Sequence, residues 1–128
     1  MKTVLFVCAG NSCRSQMAEG LFNTLRKSKN VVAISAGARA ASQIDSNAIE
    51  VMREIGIDIS EQMPKQLAQE MVDMADRVIL MCDSKVCPVI FKETESWGIE
   101  DCLDKPIGKV REIRDEIRKK VEKLIKEL

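Results

Sequence analysis

Histidine and tyrosine are both missing from the 128 residues, and one tryptophan and three phenylalanines make up the whole aromatic complement. Without histidine there is no Ser–His or Cys–His catalytic pair, and the common ligand sets of catalytic zinc are lost with it. Charge of one sign is also lacking. Twenty Lys and Arg face twenty Asp and Glu, so nothing favours nucleic acid or a membrane surface as partner. No apolar run approaches the ~20 residues of a membrane span. Met1-Lys2-Thr3 also enters an apolar stretch with no leader pattern. The expectation is a soluble, cytoplasmic, monomeric protein, a single domain over residues 1–128 that buries roughly two-thirds of its unfolded surface.

Five cysteines are present. An odd number without a secretory signal reads as working thiols rather than a static disulfide framework. The first stands in Cys8-Ala-Gly-Asn-Ser-Cys-Arg14-Ser15. Before it, Thr3–Val7 is a continuous apolar and β-branched run suited to a strand buried on both faces. After it a helix begins, with Met17, Leu21 and Leu25 four apart on one side. A loop at that junction aims backbone N–H groups and the positive end of the helix dipole at one point, where a tetrahedral oxyanion fits. The same field, with the Arg14 guanidinium, favours the thiolate of Cys8. Arg14 offers a planar fork for two oxygens of a phosphate-like ligand, and Ser15 a hydroxyl for the sulfur. Gly10 and Asn11 are residue types that tolerate left-handed turns. The plainer alternative is a buried strand-end cysteine beside a surface arginine.

Further along, Val31–Ser35 reads as a second strand, 38–44 as loop, and Ser46–Ile55 as a helix with Ile49, Met52 and Ile55 apolar and Gly56 closing it. Pro64 opens a short helix carrying Leu67, Met71 and Met74, and Arg77–Met81 is a third strand. A fourth lies at Pro88–Phe91 or at Glu95–Trp97; the pattern does not choose. Val110, Ile113, Ile117, Val121, Leu124 and Leu128 give a long amphipathic helix, with Asp115/Lys119, Glu116/Lys120 and Glu122/Lys126 on its outer face. Strands alternating with helices predict a three-layer α/β domain with a parallel sheet and its site at the carboxyl ends of the strands.

Cys82 follows the third strand as Cys8 follows the first, and Cys87 comes five residues later. If those two strands are neighbours, about 5 Å apart, a disulfide can pass from Cys8–Cys82 to Cys82–Cys87. Two alternatives stand beside this relay: a zinc or redox-sensing module built on Cys82, Cys87 and Cys102, or ordinary buried cysteines. Cys13 is expected to pack under the first helix, and Cys102 has no evident role. Residues 93–104 hold five acidic side chains and no Lys or Arg. Asp101 or Asp104 in this loop is a candidate proton donor, with Trp97 shielding the pocket.

Cys8-x5-Arg14-Ser15 followed by Gln-Met-Ala-Glu resembles the low-molecular-weight protein tyrosine phosphatase superfamily. More narrowly, the chain resembles the thioredoxin-coupled arsenate reductases. Ser35-Ala-Gly37, Ile55-Gly-Ile-Asp-Ile-Ser60, the Cys82/Cys87 pair, Trp97-x-Ile-Glu-Asp101 and Arg114-Asp-Glu-Ile117 extend the likeness over nearly the whole chain. The resemblance implies a four-stranded parallel sheet in the order 2-1-3-4. It also implies a Cys8 nucleophile that attacks arsenate, and an oxyanion site made by Arg14 and the backbone N–H groups of Ala9, Gly10, Asn11, Ser12, Cys13 and Arg14. Asp101 becomes the acid, Cys82 and Cys87 the relay, and thioredoxin or a glutaredoxin-type dithiol the reductant, with phosphate and sulfate as competing anions. No resident cofactor or metal is implied. The alternative is a tyrosine phosphatase using Cys8, Arg14 and Asp101 alone. The scarcity of aromatic side chains to grip a phosphotyrosine ring favours a small inorganic anion. The chain departs from the family in a shorter Cys82–Cys87 loop and in Cys102 standing where a proline is usual. Met63 and Lys65 stand where some relatives help to hold potassium, so the Lys65 ammonium is the expected replacement.

Overall fold

Strand β1 (Lys2–Cys8) is buried from Thr3 onward, as a central parallel strand must be. Its side chains alternate between two cores. Val4, Phe6 and Cys8 face one; Leu5 and Val7 face the other. This parity sends the Cys8 sulfur toward the larger core. The computed structural model describes residues 1–82 and 93–128.

After β1 come α1 (Arg14–Leu25), β2 (Val31–Gly37), α2 (Ser46–Arg53), α3 (Gln69–Met74), β3 (Arg77–Leu80), β4 (Glu95–Ser96) and α4 (Ile107–Glu127). The sheet is parallel throughout with order β2-β1-β3-β4, the order that the family resemblance implies. Helices α1, α2 and α4 cover one face, their Met17, Leu21, Val51, Met52, Val110, Ile113, Ile117 and Val121 joining Val4 and Phe6. The smaller core on the other face joins Leu5 and Val7 to Val72 of α3. No helix among the described residues is long and apolar enough to cross a membrane.

Two local expectations need revision, and one open choice is settled. The helix expected to open at Pro64 begins only at Gln69, because Gly37 N–H binds Lys65 O and Leu67 N–H binds Gly37 O, drawing 65–67 into an extended bridge beside β2. The buried residues of α2 are Ala48, Val51 and Met52, with Ile49 and Ile55 half-buried at the rim. Its end is as expected: Gly56 takes φ 80°, and Ile57 N–H reaches back to Met52 O. The fourth strand is Glu95–Ser96, paired with Ile79 and Leu80; the competing stretch Pro88–Phe91 lies outside the described residues, as does Cys87.

Candidate active site

The loop from Cys8 to Arg14 is shaped from outside. Ala38 N–H binds Cys8 O, Arg39 N–H binds Ala9 O, Ala41 N–H binds Gly10 O and Asp45 N–H binds Ser12 O. Gln16 Nε2 donates to Asn11 O, and Met17 N–H to Cys13 O. All six carbonyls from residue 8 to 13 are thereby satisfied away from the sulfur. In a trans peptide the next residue's N–H points opposite to the carbonyl, and the described residues contain no cis bond. The N–H groups of residues 9–14 are therefore directed away from those partners, toward the inside of the loop, a nest of the kind that can hold an anion. One of them, Asn11 N–H, reaches Cys8 Sγ at 3.1 Å.

The left-handed residue of this nest is Asn11, at φ 53°, while Gly10 does not have positive φ. Asn11 is fully buried, and its amide orientation is determined by its neighbours. Oδ1 accepts from Lys65 N–H (2.7 Å) and Gln16 Nε2 (3.0 Å), so Nδ2 faces Ser15 Oγ and donates to it at 2.7 Å. Ser15 Oγ lies 2.8 Å from Cys8 Sγ. With its oxygen already accepting, Ser15 directs its hydrogen at the sulfur, which then accepts two bonds. The arrangement suits a thiolate at the carboxyl end of the central strand.

Arg14 begins α1 and is almost fully buried. Its Nη1 donates to Met81 O (2.9 Å) and Ile99 O (3.1 Å), linking the end of β3 to the acidic loop. That fixes the guanidinium through Nη1; its Nε–Nη2 edge has the planar geometry that can hold two oxygens of a ligand. Asp101 Oδ2 stands 3.6 Å from Nη2, its side chain half-exposed. Asp101, rather than Asp104, is the carboxylate brought to Arg14. Trp97 does not shield the pocket as expected: it is buried in the core against Phe6, with ring centroids 5.6 Å apart.

The parallel pairing of β1 with β3 carries Cys82 to the same sheet edge as Cys8, with Met81 N–H bonded to Val7 O. Cys82 is half-buried against the larger core and is itself disulfide-bonded. Lys65 Nζ stands 3.5 Å from Glu19 Oε1 and donates to Met63 O. Ser35 Oγ donates to the same Glu19 oxygen. The Lys65 ammonium is thus held between the Glu19 carboxylate and the Met63 carbonyl, beside the start of α1.

Two features escaped the sequence. Gln16 is fully buried and ties the nest to residues 62–63, donating to Met63 O and receiving Gln62 Nε2. Gln16 lies in the first turns of α1, which are enclosed on all sides, and no periodic pattern in the sequence marked it. Cys13 and Cys102 form a disulfide across 89 residues, so neither is a merely packed thiol and Cys102 is not available as a zinc ligand. The replacement of the usual proline by cysteine was the only hint. Among the described residues no cluster of three or more Cys, Asp or Glu is arranged to hold a metal ion.

Comparison with known proteins agrees with this geometry. The chain is 37% identical over 125 residues to arsenate reductase 2 of Staphylococcus epidermidis, covering 94% of each. It is 38% identical to the glutaredoxin arsenate reductase of Synechocystis sp., over 98% of this chain and 97% of the other. A solved arsenate reductase in the phosphate-binding state superposes with TM-score 0.86 at 35% identity, covering 99% of this chain and 98% of that one. The family match itself spans residues 3–128: the chain belongs to the low molecular weight phosphotyrosine protein phosphatase family.

Proposed function

We infer that the protein reduces arsenate to arsenite in the cytoplasm, as a monomer without a resident cofactor, using thioredoxin or a glutaredoxin-type dithiol as reductant. The inward N–H groups of residues 9–14 and the Nε–Nη2 edge of Arg14 hold the oxyanion, and phosphate and sulfate compete for them. Cys8 attacks arsenic while Asp101 protonates the departing oxygen, which leaves as water. Cys82 then attacks the Cys8 sulfur. The S–As electron pair passes to arsenic, arsenite leaves, and a Cys8–Cys82 disulfide remains. Cys87 attacks Cys82, freeing Cys8, and the external dithiol reduces the Cys82–Cys87 bond.

The observation that carries this reading is the parallel pairing of β1 and β3, which brings the residues following both strands to one edge of the sheet. The arsenate reductases to which the chain is similar support it. A bare phosphatase would require nothing at Cys82. Slow hydrolysis of phosphate monoesters is expected all the same, because one nest serves both tetrahedral anions.

The test follows arsenate-dependent oxidation of reduced thioredoxin by the wild type and by Cys8→Ser, Cys82→Ser and Cys87→Ser. All three variants are expected to lose turnover, with Cys82→Ser and Cys87→Ser still hydrolysing p-nitrophenyl phosphate. Full arsenate turnover by Cys82→Ser would overturn the relay.

A further inference from the structure

The disulfide between Cys13 and Cys102 joins the residue before Arg14 to the residue after Asp101. Past Trp97, whose N–H binds Leu80 O, the backbone bonds of the acidic loop are internal: Ile99 N–H to Trp97 O, and Lys105 N–H to Cys102 O. The described polar contacts from this loop to the nest both run through Arg14, by way of Ile99 O and the 3.6 Å approach to Asp101. The second is the weaker, being long and half-exposed. It is also the one at risk during the reaction, since a bound oxyanion competes with Asp101 for Nη2. A covalent bond is indifferent to that competition.

We propose that the Cys13–Cys102 disulfide is a positioning device that holds the Asp101 carboxyl at the mouth of the nest after an oxyanion has taken the edge of Arg14. The proposal rests on the reading of Asp101 as proton donor and gives the two remaining cysteines a task. Forming the bond converts two thiols to a disulfide; the two electrons and two protons pass to a small-molecule disulfide, which becomes two thiols. Cys13 and Cys102 are 3% and 1% exposed, so a protein dithiol that reaches half-buried Cys82 does not reach them. One reductant can therefore recycle the reaction and leave the positioning bond closed. A small reductant that penetrates the loop opens it.

The test needs no arsenate. Non-reducing peptide mapping of the full chain is expected to recover a Cys13–Cys102 link. Hydrolysis of phenyl phosphate, whose leaving group needs a proton, is then compared with that of p-nitrophenyl phosphate, whose leaving group needs one far less. Cys102→Ala, assayed in small thiol to keep Cys13 reduced, is expected to lose about tenfold or more in kcat on phenyl phosphate and less than about threefold on p-nitrophenyl phosphate, with inhibition by inorganic phosphate unchanged. Opening the bond in the folded wild type with a phosphine should reproduce this split. In an Asp101→Asn background Cys102→Ala should add nothing. Equal loss on both esters, no loss on either, or absence of the link overturns the proposal; a wild type that hydrolyses neither ester overturns it together with the acid role of Asp101. A graded ester defect in a protein that fails to reduce arsenate upholds the positioning bond and rejects the reductase reading.

Discussion

Gly37 ends β2 directly opposite Cys8 in the register, and replacing it with alanine should damage the nest from outside. A Cβ at residue 37 would lie 2.9 Å from Ala9 O, 2.9 Å from Asn11 N and 2.9 Å from Asn11 Cβ. Ordinary contacts need roughly 3.5 Å or more between carbon atoms, so the Ala9–Asn11 backbone must withdraw by about half an ångström. It has little freedom to do so, because Ala9 O and Gly10 O are tied to Arg39 and Ala41. Overpacking of this kind costs about 1–3 kcal/mol. At ~2.1 cal/mol/K per residue, the unfolding entropy of this chain is about 0.27 kcal/mol/K, so Tm should fall by roughly 4–11 °C. A 1 Å misplacement at a reacting centre costs about a hundredfold; half of that, acting on the Asn11 N–H that meets the sulfur, predicts about tenfold in kcat/KM. Scanning calorimetry and phosphate-ester hydrolysis measure the two effects. Gly10→Ala is the control: it lies within the nest, yet its nearest contacts would be 3.5 Å to Ser12 Oγ and 4.0 Å to Ala41 Cβ, and both quantities should change little, by less than about 0.5 kcal/mol. If Gly37→Ala behaves like Gly10→Ala, the claim that the nest is held rigidly from its outer side is wrong.

Three further outcomes are expected. Closing a loop of 89 residues through Cys13–Cys102 is worth about 4–5 kcal/mol by chain entropy, so Cys13→Ala/Cys102→Ala should melt roughly 15 °C below the oxidised wild type; a difference of only a degree or two would show that the entropy argument does not apply here. Hydrogen bonding from Arg111, reinforced by Arg114, holds the Glu54 carboxyl below its ordinary value of 4.5; this depressed folded-state value gives stability that is present above the unfolded value and lost as pH falls through the folded one. Urea midpoints should therefore decline more gently below pH 4.5 in Glu54→Gln than in the wild type. Lys65→Ala leaves the largely buried Glu19 carboxylate without its ammonium and should lower stability by about 1 kcal/mol or less, with potassium raising the variant's Tm and leaving the wild type unchanged; indifference of the variant to potassium would refute the replacement of a cation by Lys65.

The parts of the fold read from sequence are those where one-dimensional pattern and burial coincide. Thr3–Val7 is apolar because both faces of a central strand are covered, and the three-and-four spacing from Val110 to Leu124 records a helix packed on one side. The Cys8-x5-Arg14 loop was legible because its chemistry depends on spacing along the chain. What escaped depended on contacts distant in sequence. Residues 64–68 follow the hydrogen bonds of Gly37 rather than their own propensity. Glu95–Ser96 is two exposed residues long and carries no apolar alternation. Trp97 suggested a pocket wall, but the ring turns inward onto Phe6. The left-handed position went to Asn11 because its side chain, unlike a glycine's hydrogen, links Lys65, Gln16 and Ser15 at once.

The two donors that meet at Cys8 Sγ also give the proposed relay a direction. A sulfur bearing charge accepts both hydrogen bonds strongly, each worth about 1.5–3 kcal/mol to a charged group. Within a disulfide the same sulfur is neutral and a poor acceptor, so the donors from Asn11 and Ser15 lose most of that energy while still pointing at it. At about 1.4 kcal/mol per 30 mV for two electrons, the pair makes an oxidised Cys8 the stronger oxidant by several tens of millivolts. The contacts that equip the cysteine to attack therefore also expel it from any disulfide it enters, and oxidation drains outward from the central strand toward the thiols beyond β3.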